Sequence, residues 1–257
     1  MSGIGGLAWL DGRKDFDDLA LLHRFASALR PYGATRQETL VSQACGLVYA
    51  HCAGSCIHDQ AAAPATSADG RFRLVFDGRL DYREELVEQL GLTPDALEWT
   101  DARLAAESWS RWADDAPRHW YGEFAVIVWD GEQNQLFLVR DYLGMRSLSW
   151  HRRDDGLIVA CTSPKPMFSI DGVPREADEQ KIADQLLQMF HDGGRSFYRD
   201  IQRVRPATVM RFDASGHHER QYWSIDDLAM RPAPRDTQEL VNQARSLFAG
   251  AIRQCLR

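Results

Sequence analysis

The alternation of apolar and polar positions along the chain predicts a succession of short strands and short helices. Runs that are rich in β-branched and aromatic residues, or that alternate with polar residues, predict strands, whereas apolar residues spaced three and four apart predict helices. The predicted strands span residues 3–10, 39–49, 71–76, 124–129, 136–139, 148–151, 157–161, 208–212 and 219–222. The predicted helices span residues 16–29, 81–90, 101–112, 178–189 and 236–255.

Turn and loop residues separate these elements. Asp77-Gly78 is typical of a tight turn, residues 61–70 have the composition of a loop, and residues 130–134 are expected to close a hairpin. The strands between residues 124 and 161 are expected to form one antiparallel meander. Because strands and helices occur in separate blocks, the pattern predicts an α+β fold with antiparallel sheets in a layered αββα arrangement.

The end of the sequence differs in character from the rest. Residues 236–255 place apolar side chains on one helix face, and Asp236 and Glu239 have the spacing of a capping box. The preceding segment, 230–235, is typical of a linker. We therefore expect a main domain over residues 1–229, a linker over 230–235 and, over 236–257, the first helix of a further domain.

Composition and charge exclude several classes of partner. The 257 residues are 44% hydrophobic and carry a formal net charge of −7, with neither sign gathered into long runs. This pattern excludes the basic surface of a nucleic-acid-binding protein. No stretch has the roughly eighteen consecutive apolar residues of a membrane-spanning helix, and the first residues lack the features of a secretion signal. We therefore expect a cytoplasmic protein without a membrane partner.

The five cysteines are odd in number and widely spread, which favours reduced thiols over a disulfide framework. Cys45, Cys52 and Cys56 lie near His51 and His58, and thiolates combined with imidazoles can hold zinc. The spacing matches no paired-ligand pattern, however, and buried cysteines are commoner than metal ligands. No metal site is expected.

Five stretches of sequence together resemble a known family. They are Met-Ser-Gly-Ile-Gly-Gly at residues 1–6, Phe-Asp-Gly-Arg-Leu at 76–80, Thr-Asp at 100–101, Gly-Glu-Phe-Ala-Val-Ile-Val-Trp-Asp at 122–130 and Arg-Asp-Tyr-Leu-Gly-Met-Arg-Ser-Leu at 140–148. In order and content they resemble the N-terminal glutaminase domain of the glutamine-dependent asparagine synthetases, class II amidotransferases of the N-terminal-nucleophile hydrolase type. The resemblance covers nearly the whole chain and implies the four-layer αββα sandwich of that type.

The resemblance also implies a site, in which several residues depart from the family pattern. In the family, the residue after the initiator methionine is a thiol nucleophile that its own α-amine activates. Ser2 occupies this position, and its alcohol is a weaker nucleophile. Asp77 replaces the asparagine that stabilises the oxyanion, and a carboxylate donates no hydrogen bond unless it is protonated. Gly78, whose backbone amide assists that asparagine, is retained.

The substrate-binding positions are altered as well. Asp101 lies where the family has the aspartate that holds the substrate α-amine, but it equally suits the N-cap of its helix, which is the interpretation we favour. The arginine that binds the substrate α-carboxylate has no counterpart, because residues 37–70 contain neither Arg nor Lys. His51 is the nearest cationic side chain there, and it lacks the bidentate fork of a guanidinium group.

These departures predict a glutaminase-like domain that no longer hydrolyses glutamine. In this respect the chain is similar to β-lactam synthetases and to the macrocyclases that make lasso peptides, in which a degenerate glutaminase-like domain precedes an ATP-using synthetase domain. The expected role is that of a scaffold for such a synthetase or cyclase domain, in cis or in trans, through the 236–255 helix. Two alternatives stay open: an active glutaminase with Ser2 as its nucleophile, and an autonomous amidase whose substrate has no α-carboxylate.

The resemblance also bears on cofactors. The synthetase domains of the resembled enzymes hold the pyrophosphate of ATP in a Ser-Gly-Gly-x-Asp-Ser loop. The sequence contains no such string. We therefore expect no cofactor in this chain and confine ATP and Mg²⁺ to a synthetase domain, whose substrate would be a precursor peptide or a small carboxylic acid.

Overall fold

Two antiparallel sheets form the centre of the molecule in the computed structural model, which describes residues 2–11, 16, 18–42, 44–52, 64–189, 193–228 and 236–256. Within these ranges the first sheet consists of β1 (Gly3–Ala8), β2 (Arg36–Ser42), β3 (Cys45–His51), β8 (Ser149–Arg152), β9 (Ile158–Cys161) and β10 (Gln202–Arg203). The second consists of β4 (Ala65–Thr66), β5 (Phe72–Asp81), β6 (Tyr121–Asp130), β7 (Gln135–Arg140), β11 (Thr208–Asp213) and β12 (Gly216–Gln221). The strand orders are β10-β8-β9-β1-β3-β2 and β12-β11-β7-β6-β5-β4.

Helices cover the outer faces of the two sheets. In the first sheet, α1 (Leu19–Leu29) packs on β1 and β3, and α4 (Pro164–Met167) packs on β9. In the second, α3 (Asp101–Trp112) packs on β5, and α2 (Arg83–Leu90) packs beside it. This arrangement confirms the predicted α+β, four-layer αββα sandwich with antiparallel sheets.

Two further helices are present among the described residues, α5 (Glu179–Leu186) and α6 (Thr237–Cys255). The 236–255 helix is confirmed, and the Asp236 carboxylate caps it by accepting a hydrogen bond from the Gln238 backbone amide at 2.9 Å. The predicted linker 230–235 lies outside the described residues. Over the described ranges, none of the helices combines the length and the apolar character needed to cross a bilayer.

Side-chain alternation along the strands divides the apolar core into two layers. On β5 and β6, Val75 and Ile127 pack between the sheets, whereas Leu74 and Val126 pack against α2 and α3. Because successive strand residues point to opposite faces, every other residue of β5, including Asp77, points toward the first sheet.

Three predicted elements differ from the structure because pairing partners override local signals. The single strand predicted over 39–49 is a hairpin of β2 and β3, in which Ser42 pairs with Cys45. The turn predicted at Asp77-Gly78 does not form, since β5 continues through it and pairs with β6 as far as Asp81. The predicted meander is also wrong, because β8 and β9 leave the second sheet and pair in the first.

Gly78 explains how β5 continues through a sequence that is typical of a turn. Its φ angle is 140°, and a Cβ at this position would lie 1.9 Å from the backbone oxygen of Glu123. Glycine is therefore required here because β5 and β6 approach each other closely. It does not serve to reverse the chain.

The start of α3 also differs from the prediction. Thr100 is the N-cap, and its hydroxyl accepts a hydrogen bond from the Arg103 backbone amide at 3.2 Å. Asp101, predicted to be the N-cap, is the first residue of the helix. Its carboxylate forms a buried ion pair with Arg83 of α2 and accepts a hydrogen bond from the backbone amide of Leu80 at 3.0 Å. Asp101 thus ties two helices to β5.

We predict that Asp101→Ala lowers the free energy of unfolding by about 3–5 kcal/mol, because it leaves the Arg83 guanidinium buried without its carboxylate. Glu98→Ala, at an exposed site nearby, is the matched control and should change stability by less than about 0.5 kcal/mol. Urea unfolding followed by circular dichroism measures both. The double variant R83L/D101L should lose less than D101A, since no charge is left unpaired. Equal losses in D101A and E98A would contradict this role.

Candidate functional site

Ser2, which the family resemblance predicts at the nucleophile position, lies between the two sheets at the start of β1. Ser2 has the same strand parity as Gly6, whose missing Cβ would lie 3.1 Å from Ile127 of the second sheet. The Ser2 side chain therefore points toward the space between the sheets. It is 6% exposed, and its Oγ accepts a hydrogen bond from the Tyr49 hydroxyl at 3.1 Å. Tyr49 itself is buried on β3, directly opposite Ile4.

The strands on both sides fix where β1 begins. The Ile4 backbone amide donates to Thr162 Oγ1 at 2.8 Å, and the Thr162 backbone amide donates to the Ile4 carbonyl at 3.0 Å. On the outer face, a Cβ on Gly5 would lie 2.6 Å from the Phe25 ring, so glycine allows α1 to pack directly on the strand. The chain therefore has little freedom to move Ser2.

Asp77 points into the same space from the opposite sheet. It is 2% exposed, and its Oδ1 lies 3.8 Å from the guanidinium group of Arg146. A second carboxylate, that of Glu123 on β6, lies 3.7 Å from the same guanidinium group. Glu123 shares the strand face of Ala125 and Ile127, which pack between the sheets. The structure thus brings Asp77, Glu123 and Arg146 together beneath β1.

The segment that carries Arg146 is held rigidly by a buried carboxylate. Asp141, which is 1% exposed, accepts hydrogen bonds from the backbone amides of Leu143, Met145 and Arg146 at 2.9–3.1 Å and from that of Phe124 at 3.3 Å. These bonds satisfy three backbone donors of the segment between β7 and β8, which belongs to neither sheet, and one donor of β6. They also fix the direction in which the Arg146 side chain leaves the backbone.

The neighbouring Arg140 organises the same segment through carbonyl groups. Its guanidinium donates to the backbone oxygens of Arg146 at 2.6 Å and Val204 at 2.7 Å, and also to that of Gly144. Burial and, to a smaller extent, the nearby positive charge of Arg203 lower the pKa of Arg140 to about 10. Arg140 and Asp141 therefore position the site without entering it.

The structure separates Asp101 from the other predicted site residues. Ser2 and Asp77 face each other between the sheets, whereas Asp101 lies on the side of β5 that carries α2 and α3. Arg83 and the Leu80 amide engage its carboxylate there. Gly78 follows Asp77 in β5.

Sequence reasoning missed Arg146 and Tyr49 as members of the site. Arg146 lies within a stretch that carries the family resemblance, but only the crossing from β7 to β8 brings it to Asp77. The alternation of side chains along β3 would predict that Tyr49 points into the site once the β2–β3 hairpin is recognised. His51, the cation considered earlier, lies on β3 beside Tyr49, and its Nδ1 is buried without a hydrogen-bond partner among the described residues.

The charges in this site oppose amide hydrolysis through a tetrahedral intermediate. Such an intermediate carries a developing oxyanion that must be met by hydrogen-bond donors. At the position corresponding to the family's asparagine donor, the site presents the acceptor oxygens of Asp77. The nearest guanidinium, that of Arg146, is already shared by two carboxylates. The electrostatic field is therefore unfavourable for negative charge on the substrate.

Two of the described cysteines, Cys45 and Cys161, are unsuited to act as thiol nucleophiles. Cys45 and Cys161 are free and fully buried, and burial raises the pKa of Cys161 to about 12 and that of Cys45 further still. Such thiols stay protonated and inert. Over the described residues, no group of three His, Cys, Asp or Glu side chains is placed to hold a metal ion, and Cys56 and His58 lie outside those residues.

Comparisons with known proteins agree with this architecture. The glutamine amidotransferase domain family matches residues 1–223. A structure described as the allosteric regulatory enzyme of purine biosynthesis aligns with 86% of this chain and 49% of its own chain, with a TM-score of 0.57 and 12% sequence identity. At that identity the alignment shows a shared fold.

Two curated relatives from Bacillus subtilis strain 168 are similar over part of their length. Glutamine-hydrolyzing asparagine synthetase 3 is 25% identical over 183 residues, which are 70% of this chain and 29% of the relative. Glutamine-hydrolyzing asparagine synthetase 2 is 27% identical over 146 residues, which are 53% of this chain and 19% of the relative. The matched region is thus less than a third of either protein. With the family match over residues 1–223, these observations show that the chain belongs to the glutamine amidotransferase domain family, related to the glutaminase domains of asparagine synthetases.

Proposed function

We propose that this glutamine amidotransferase domain does not hydrolyse glutamine and instead serves as the scaffold of an ATP-dependent, amide-forming synthetase domain of the asparagine synthetase kind. The observation that carries the proposal is the ion pair between Asp77 and Arg146, at 3.8 Å, where a glutaminase needs an oxyanion donor. A nearby guanidinium group favours the ionised form of a carboxylate, and an ionised carboxylate at position 77 repels an oxyanion.

The remaining groups of the site support the same conclusion. Ser2 offers an alcohol in place of a thiol, and its oxygen already accepts the Tyr49 hydrogen bond. Arg146 is the cation that the site does contain, and two carboxylates hold it. The part of the chain that carries the α-carboxylate clamp in the resembled family has neither Arg nor Lys, over residues 37–70. Nucleophile, oxyanion donor and clamp are therefore all weakened.

The scaffold role rests on α6. This helix lies beyond the matched residues 1–223, and its apolar side chains are exposed, with Leu247 at 76% and Phe248 at 70%. Its polar anchor on the rest of the molecule is a hydrogen bond from the Tyr82 backbone amide to Gln254 Oε1 at 3.2 Å. An amphipathic helix of this kind gains stability by burying its apolar face.

We infer that a synthetase domain covers the apolar face of α6. The two asparagine synthetases that the chain resembles extend well beyond the region they share with it, so a synthetase domain is the partner that the relatives suggest. In that arrangement ATP and Mg²⁺ bind the synthetase domain, and the amine nucleophile comes from the substrate, as in a lasso-peptide cyclase or a β-lactam synthetase. The carboxylate to be activated would belong to a precursor peptide or a small acid.

We predict that the purified chain releases no ammonia from glutamine above the level of Ser2→Ala, and that Ser2→Cys stays silent as well, because Asp77 still faces the oxyanion. A coupled glutamate dehydrogenase assay measures ammonia, and intact mass establishes whether Met1 has been removed in each variant.

Each contrary outcome identifies a different function. Ammonia release by the native chain that disappears in S2A would make it an active glutaminase with Ser2 as nucleophile. Release by S2C alone would mean that the pocket still binds glutamine. Hydrolysis of amides without an α-carboxylate, lost in S2A, would establish the autonomous amidase.

We predict that Leu247→Asp weakens binding to a separately produced synthetase domain of the asparagine synthetase kind by about 10- to 150-fold, the loss expected when about 1.5–3 kcal/mol of leucine burial is removed. Ser246→Asp introduces the same charge on the opposite face of α6 and is the matched control. Analytical ultracentrifugation of the two polypeptides measures the affinity. Equal affinity of L247D and the native chain would show that this face does not contact the synthetase domain.

A further inference from the structure

A second cavity, separate from Ser2 and Asp77, opens on the first sheet where β9 meets α4. Its volume is about 270 Å³, and the residues that line it include Ser149, Ser163, Lys165, Phe197, Tyr198 and Arg203. A cavity of this size lies near the lower end of the range for small-molecule sites. Among the described residues of the cavity wall, none is acidic, whereas two carry a positive charge.

The two cations of this cavity are not neutralised by the described part of the chain. Arg203 lies in β10, opposite Ser149, and Lys165 lies exposed in α4. Among the described residues, neither side chain has a hydrogen-bond or ion-pair partner. Arg203 lies close enough to Arg140 to lower the pKa of that buried guanidinium. Repulsion between these positive charges favours binding of an anion at this place.

Two hydroxyl groups add uncharged donors. Ser149 is 2% exposed and belongs to the cavity wall, yet its hydroxyl has no hydrogen-bond partner among the described residues. Ser163 Oγ accepts a hydrogen bond from Tyr32 at 2.9 Å, which leaves its own proton available for a ligand. A ligand oxygen in the cavity could accept a hydrogen bond from each of these hydroxyls.

An aromatic wall lies beside these donors. The Phe197 side chain is 47% exposed, and the Tyr198 ring is held edge-on to Phe168 with centroids 4.8 Å apart. An apolar or aromatic body attached to the anion would bury part of Phe197. The wall therefore favours an organic anion over an inorganic one.

We propose that this cavity binds a small phosphate monoester, with its phosphate between Lys165 and Arg203 and its organic body against Phe197. The two cations match the charge of about −1.5 to −2 that a phosphate monoester carries near neutral pH, whereas a carboxylate would leave one of them uncompensated. Phosphate oxygens also have enough acceptor sites for both cations and for the Ser149 and Ser163 hydroxyls. This assignment does not depend on the scaffold function proposed above.

Isothermal titration of the full chain with phenyl phosphate tests the proposal. We expect saturable binding that weakens at least tenfold in Arg203→Gln and in Lys165→Gln. The control Arg205→Gln makes the same change in charge two residues away, at an exposed arginine that pairs with Glu219 at 3.5 Å and lies outside the cavity wall, and it should bind as the native chain does. Circular dichroism verifies that each variant is folded. Because Lys165 is exposed, K165Q is expected to fold, and it still tests the proposal if R203Q does not fold.

Three further measurements separate the chemical alternatives. Phe197→Ala should weaken phenyl phosphate at least threefold and leave inorganic phosphate unchanged. Affinity for phenyl phosphate should rise between pH 5 and pH 7, because the second phosphate proton leaves at a pKa of about 6. Benzoate should bind more weakly than phenyl phosphate. No binding by the native chain, equal weakening in R205Q, or tighter binding of benzoate would each overturn the proposal.

Discussion

The crossing from the second sheet to the first, over residues 140–146, is the constraint on which both candidate sites depend. A chain that leaves one sheet and enters another must satisfy backbone groups that no strand partner can reach. Here two buried side chains satisfy them: Asp141 accepts from four backbone amides and Arg140 donates to three backbone carbonyls. The direction of the crossing, and with it the position of every side chain it carries, follows from these bonds.

The crossing explains why a carboxylate can occupy the oxyanion position. A buried Asp77 without a counter-charge would cost several kcal/mol and would favour its neutral form. Because the Asp141 carboxylate fixes the backbone of Arg146, the guanidinium of Arg146 is delivered to Asp77 and to Glu123. The ion pair that stabilises the buried Asp77 carboxylate also leaves the guanidinium of Arg146 unavailable to a substrate. The stability of the buried Asp77 and the proposed loss of hydrolysis thus have a common physical origin.

Local patterns in the sequence were sufficient for most strands and helices but not for the features that define the site. The helices α1, α3 and α6 follow from apolar spacing, and α6 also from its capping residue Asp236, which are local properties. The path of β5 through Asp77-Gly78 does not, since a turn dipeptide becomes a strand only because β6 lies close enough to require glycine. The Asp77–Arg146 pair depends on which sheet β8 joins, and sheet membership is a long-range property that propensity does not encode.

The electrostatic environment differs between the two ends of the crossing. On the side of Ser2, the positive charge of Arg146 is shared by two carboxylates. On the side of β10, Arg203 lies near Arg140, and the described residues of the adjacent cavity wall include no carboxylate. Since the bonds of Arg140 and Asp141 are made to backbone groups, they hold the crossing in place whatever side chains occupy positions 2 and 77. The fold can therefore accommodate the loss of hydrolysis that we propose while it keeps the geometry that presents cations on the opposite side.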